Sequence, residues 1–126
     1  MKDKIKAYFQ AWINNDCSQL KDLFHENIIY SECYGPEYFG IEQILQWFSD
    51  WHKNGKVHIW EIKQIIEQDK VCVVEWYFEC EYQKERSGFD GVSIIEFDIY
   101  NKMIYVKEFQ SKKEHNYPYG KTLMGM

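Results

Sequence analysis

The sequence predicts an α+β domain in which helices pack against one side of a curved antiparallel sheet. Two observations carry that reading. Apolar residues recur at helical spacing up to residue 54, and from Lys56 onward the period shortens to two, so helices come first and strands afterwards. Short turns separate the later segments, as hairpin-linked strands require. The 23 aromatic residues, 18% of 126, supply an unusually ring-rich interior for one domain spanning residues 1–126.

The first helix covers residues 3–14, where Ile5, Tyr8, Phe9, Trp12 and Ile13 share a face and Lys2, Lys4, Lys6 and Gln10 take the wet side. Asn14-Asn15-Asp16 ends it. Asp16 is placed to cap a short second helix, with Gln19 completing a capping-box-like pair and Leu20, Leu23 and Phe24 buried. Residues 27–34 are β-branched and aromatic enough for a strand, which Gly35-Pro36 breaks. Gly40 opens a third helix with an inward stripe of Ile41, Ile44, Leu45, Phe48 and Trp51, widened by Trp47. Asn54-Gly55 reads as its left-handed stop. Strands are then expected over 57–66, 71–83, 91–99 and 103–112. In the second of these Cys72, Val74, Trp76, Phe78, Cys80 and Tyr82 share one face, opposite Glu75, Glu79 and Glu81.

Composition excludes several classes of function. Hydrophobic residues at 45% and charged residues at 28% are incompatible with a disordered chain, and no apolar run reaches the ~18 residues of a membrane span. A net charge of −5, with no basic stripe, argues against nucleic acid as a partner. Without a secretory signal pattern at the start, the expected location is cytoplasmic. The four cysteines lack metal or redox spacing. Cys72 and Cys80 on one strand stand roughly 26 Å apart, so all four read as small, buried, reduced hydrophobes. His25, His52, His58 and His115 form no ligand pattern, and neither metal nor cofactor is implied. His52 closes the third helix, where a positive charge suits the dipole.

Local marks accompany this order of elements: Tyr8-Phe9-Gln10-Ala11-Trp12, then Asn14-Asn15-Asp16 and Leu23-Phe24, then Gly35 with Gly40 and Ile44 behind it. Gly91-Val92-Ser93-Ile94-Ile95-Glu96-Phe97 and Lys102-Met103-Ile104 follow. Together they resemble the nuclear-transport-factor-2-like fold, which includes SnoaL-like polyketide cyclases and ketosteroid isomerases. The resemblance covers nearly the whole chain and implies a sheet curled around its helices into a cone with a pocket at the open end. It implies pocket positions for Tyr8 and Trp12 of the first helix, Tyr30 of the first strand, and Phe48 and Trp51 of the third helix. Trp76, Phe78 and Cys80, then Ser93 and Ile95, then Val106 and Glu108 follow on the later strands.

The resemblance also tests the chemistry. Ketosteroid isomerases use a first-helix tyrosine, matched here by Tyr8, together with an acid on the penultimate strand and a base at the end of the first. The latter two positions hold Ser93 and Ser31, and a serine hydroxyl does not collect a proton from carbon at neutral pH. The isomerase mechanism is therefore not carried over. Glu32, beside Ser31, and Glu108, spaced inward from Ile104 and Val106, are the remaining candidate acids or bases, because aromatic surroundings raise a carboxyl's pKa. Tyr8 is the candidate hydrogen-bond donor. Convergence of Trp12, Trp51 and Trp76 on Glu108 also points to a cationic or amine ligand.

Two further surfaces are legible. The segment 115–126, with His115, Tyr117 and Tyr119, reads as a tail or a lid over the pocket mouth. On the outer sheet face Glu75, Tyr77, Glu79 and Glu81 sit beside Tyr105, Lys107 and Phe109, a mixture suited to a homodimer. Three functions fit this reading: a domain that binds a small hydrophobic or aromatic molecule, which is favoured; an acid–base enzyme using Glu32 or Glu108; and a dimeric assembly module with a filled cone. A hollow cone separates the first two from the third.

Overall fold

The computed structural model describes residues 1–121. Its elements are α1 (Lys2–Asn14), α2 (Leu20–Leu23), β1 (Phe24–Ser31), β2 (Glu37–Phe39), α3 (Ile41–Asn54), β3 (Gly55–Gln68), β4 (Val71–Tyr82), β5 (Glu85–Phe97) and β6 (Met103–Lys112). The six strands form one sheet in the order β2-β1-β6-β5-β4-β3. This is the expected α+β architecture, with one pairing that is not antiparallel: β1 lies parallel to β6, so the sheet is mixed. The first strand is separated from the last by α3 and the three long strands, and it returns to the edge that β6 leaves free.

The helix boundaries follow local chemistry. Asn15 ends α1 in the left-handed conformation (φ 52°), and the apolar stripe of Ile5, Tyr8, Phe9 and Trp12 is buried. The capping box expected at Asp16 does not form. Its Oδ1 instead accepts the backbone N–H of Ser18 at 2.9 Å in a local turn, and α2 begins four residues later without a side-chain cap. Cys17 in this turn is exposed, in contrast to the buried position expected of it, whereas Cys72 and Cys80 are buried and all four thiols are free.

Gly55 is not the left-handed stop that Asn54-Gly55 suggests. Its backbone is extended (φ −133°, ψ 158°) and opens β3. Glycine is required there for close approach, because a Cβ would stand 2.9 Å from the Trp51 ring and 2.8 Å from Tyr82. Two register shifts, at Val57/Ile59 and Ile62/Gln64, bend β3, and the first turns Trp60 inward alongside Val57.

Strand β5 starts six residues before the position expected. Gln83 and Lys84, both at positive φ (51° and 69°), form a tight reversal after β4, and Glu85–Phe89 continue the ladder against Phe78–Tyr82. That turn normally advertises itself through Asn or Gly, and here it holds neither. Strand β1 also runs earlier, from Phe24 to Ser31, because the chain reverses through Glu32–Pro36 into β2. The Glu32 N–H donates to the Pro36 carbonyl at 2.9 Å, closing this reversal.

One aromatic core joins helices to sheet. Phe9 stacks on Trp60 at 3.8 Å between ring centroids, and Trp12 contacts Trp47, Phe48 and Trp51. His52 ties α3 to α1. Its Nδ1 lies 2.8 Å from the Phe48 carbonyl and its Nε2 3.0 Å from that of Trp12. No helix among the described residues is long and apolar enough to cross a membrane.

Candidate functional site

The concave side of the sheet encloses a cavity of about 440 Å³. Ten of its fourteen lining residues are aromatic, and they include all five tryptophans of the chain: Trp12 from α1, Trp47 and Trp51 from α3, Trp60 from β3 and Trp76 from β4. Trp76 is held from both sides. Its indole N–H donates to Ser93 Oγ at 2.9 Å, and its ring lies over Gly91, where a Cβ would stand 2.2 Å away. A second groove of about 470 Å³, with Gln43, Gln46 and Asp50 on its wall, shares Tyr34, Trp47, Trp51 and Tyr82 with the cavity and so marks its mouth.

The polar end is built by the parallel pairing of β1 with β6. Tyr30 lies opposite Val106, which brings its hydroxyl to Glu108 two residues further along β6. Tyr30 Oη donates to Glu108 Oε2 at 2.6 Å, and Tyr8 Oη from α1 donates to Tyr30 Oη at 2.8 Å. Both hydroxyl protons are thus committed within one chain, Tyr8 to Tyr30 to Glu108. Among the described residues Glu108 Oε1 has no hydrogen-bond partner, and the side chain's remaining accessible surface faces the cavity.

Burial pushes the Glu108 carboxyl up to about 8. The nearby Glu32 adds to the rise, and the Tyr30 hydrogen bond pulls against it. Glu108 is consequently mostly protonated at neutral pH. Glu32, at the start of the turn after β1, also lines the cavity and accepts from Tyr38 Oη at 3.2 Å. Its pKa is raised by burial, against the lowering effect of Tyr34 and Tyr38. Burial likewise pushes the Cys33 thiol up to about 12 and raises Tyr8 and Tyr30 well above the ordinary phenol value. No Lys, Arg or His lines the cavity among the described residues. Nor do they contain a group of three or more His, Cys, Asp and Glu arranged to hold a metal ion.

Of the candidate residues read from sequence, the structure brings Trp12, Tyr30, Glu32, Trp51, Trp76, Phe78, Cys80 and Glu108 together on the cavity wall. Six others lie elsewhere, among them Ile95, which is buried in the core. Tyr8 stands behind Tyr30, its proton donated to that residue and not toward the cavity. Phe48 is core between Trp12 and His52, Val106 is core beneath Tyr30, and Ser93 serves as acceptor for Trp76. His115 lies across the sheet, its Nε2 3.6 Å from Asp90 on the outer face, because the chain leaving β6 follows that face. Tyr117 and Tyr119 of the possible lid are exposed and do not line the cavity, and residues 122–126 lie outside the described residues.

Sequence reasoning missed Cys33, Tyr34, Trp47, Trp60, Tyr82 and Phe89 as lining residues. Trp60 depends on the bulge in β3, and Phe89 on the early start of β5. Tyr82, on the inward alternation of β4, and Trp47, beside the inward stripe of α3, were the signals available.

A curled sheet over three helices, with an aromatic cavity at its open end, defines the cone-shaped class to which ketosteroid isomerase-like folds belong. Residues 5–105 match the model of the SnoaL-like domain, and the chain belongs to that family. No curated protein matches the sequence. Among solved structures the chain is similar to an LEH-like epoxide hydrolase of M. tuberculosis (TM-score 0.77, 12% identity, covering 86% of this chain and 80% of that one). It is equally similar to a Catenulispora acidiphila protein with a ketosteroid isomerase-like fold, solved in complex with trimethylamine (TM-score 0.77, 16% identity, 86% and 85% covered). An NTF-2-like protein of Burkholderia xenovorans gives a TM-score of 0.74 at 19% identity, with 93% and 87% covered. At these identities the likeness is one of fold.

Proposed function

We propose that this SnoaL-like domain binds a small hydrophobic or aromatic molecule in the cone. The observation that carries the proposal is the convergence of all five tryptophans on one cavity of about 440 Å³, a volume in the range of small-molecule sites. Aromatic surface on this scale would be expected to close on itself in a purely structural core, because empty apolar volume costs about 24 cal/mol per Å³. The Catenulispora acidiphila protein of similar fold was solved in complex with trimethylamine, which supports a small-molecule ligand for a domain of this shape.

Native mass spectrometry of the purified protein, followed by release of the bound compound and tryptophan fluorescence titration, tests the reading. A saturable change in emission that Trp60→Phe diminishes is the expected result. A protein that purifies empty and shows no saturable response to a panel of cyclic and aromatic compounds refutes it.

A second reading has its own observation. Glu108 ends a hydrogen-bonded chain, carries its proton near neutrality and has a free oxygen toward the cavity, as a general acid requires. In that reading Glu108 protonates the substrate, and Tyr30 steadies the resulting carboxylate. Turnover lost with affinity kept in Glu108→Gln separates enzyme from binder.

The outer sheet face supports a homodimer. Phe109 and Ile66 are exposed there beside the Glu79–Arg86 and Lys63–Asp90 pairs. A monomer in sedimentation at micromolar concentration removes that proposal.

A further inference from the structure

The cavity is electrostatically one-sided. Among the described lining residues the acidic side chains are two carboxyls, Glu32 and Glu108, and no basic side chain answers them. The remaining wall is chiefly aromatic, and aromatic faces carry the negative side of the ring quadrupole. Both features repel anions and favour a positive charge. A neutral apolar ligand needs neither carboxyl, and burying one among rings is costly without a partner. At Glu108 the protein supplies a single donor, Tyr30, and leaves Oε1 unpaired toward the cavity.

We propose that the cavity takes an organic ammonium ion, its charged end seated between the aromatic faces and Glu108, which releases its carboxyl proton to bulk water as the cation enters. The inference rests on the small-molecule reading above and narrows it to one class of ligand. The charge balance closes: one positive charge enters, one proton leaves, and the carboxylate formed neutralises the ammonium while Tyr30 continues to donate to it.

The surroundings of Glu108 are suited to this exchange. Tyr8 faces it from α1, Tyr30 from β1, and Glu32 and Cys33 from the turn after β1, while Ser93 lies opposite on β5. Further along the wall stand Tyr34, Cys80 and Tyr82, and α3 contributes Trp47 and Trp51, which do not titrate. Burial holds the Tyr8, Tyr30 and Cys33 protons in place through the neutral range, so the proton released on binding is that of Glu108.

Choline and its uncharged carbon analogue 3,3-dimethylbutan-1-ol share one shape and differ in charge, and their binding followed by calorimetry tests the proposal. Choline affinity is expected to rise roughly tenfold per pH unit between about pH 6 and 8 and to level off above, since only the ionised carboxyl accepts the cation. The alcohol's affinity should change less than about twofold over the same range. Comparison of two buffers with different ionisation heats at about pH 6.5 should show release of roughly one proton per choline. Glu108→Gln should abolish the slope and the release while still binding the alcohol, which reports an intact cavity.

Alcohol bound as tightly as choline, or choline bound without pH dependence or proton release, overturns the cation proposal and leaves the small-molecule reading standing. Absence of binding by both probes, together with no response to neutral aromatic compounds, overturns both.

Discussion

Replacing Glu108 by Gln offers a test that needs no ligand. In the folded protein the carboxyl is pushed from an ordinary 4.5 to about 8 by burial, so between those values the folded state holds a proton that the unfolded chain has lost. Stability therefore falls as pH rises through this window and is unaffected by this group below it. Each unit costs about 1.4 kcal/mol, which sets an upper bound near 5 kcal/mol by about pH 9. Glu108 is only partly buried by its surface exposure, so solvent screens part of the charge and roughly 2–5 kcal/mol is expected. Gln keeps an acceptor for Tyr30 and does not titrate. Urea denaturation across pH should give wild type and Glu108→Gln within about 1 kcal/mol of each other near pH 5, with the variant gaining progressively to roughly 2–5 kcal/mol near pH 9. A difference that is constant with pH, or a variant less stable at high pH, would refute the buried-acid assignment.

Three other substitutions probe the same architecture. Tyr30→Phe removes the one donor to Glu108 and the acceptor of Tyr8, so it should raise the Glu108 pKa further and destabilise by about 1–3 kcal/mol, read by carboxyl NMR titration and denaturation. Gly91→Ala places a methyl inside the Trp76 ring position and should cost about 1–3 kcal/mol, with a change in tryptophan emission as the indole leaves Ser93. His52→Ala removes the imidazole that bridges the Phe48 and Trp12 carbonyls and should cost about 1–3 kcal/mol; thermal melts that match wild type would show the clamp contributes nothing.

The apolar periods fixed three things before any tertiary contact was known: α1 and α3 with their buried stripes, the alternation of β4, and the strand β6 over residues 103–112. These are local consequences of side-chain spacing, and a helix or strand with one wet face has only one way to present them. Glu32 was singled out through the family resemblance, beside the position of the first-strand base, and Glu108 by its inward spacing from Ile104 and Val106. What spacing does not encode is how distant segments meet. The parallel contact of β1 with β6 joins residues 30 and 108, and it alone creates the Tyr8–Tyr30–Glu108 chain that moved Tyr8 from ligand donor to support. The bulges of β3 and the Gln83-Lys84 turn decide which rings face inward, because one inserted or reversed residue exchanges the two faces of a strand. The aromatic-rich sequence predicted a ring-filled interior and the family resemblance a cone, whereas the cavity inside it, and the raised carboxyl at its end, exist only once the sheet has curved around the helices.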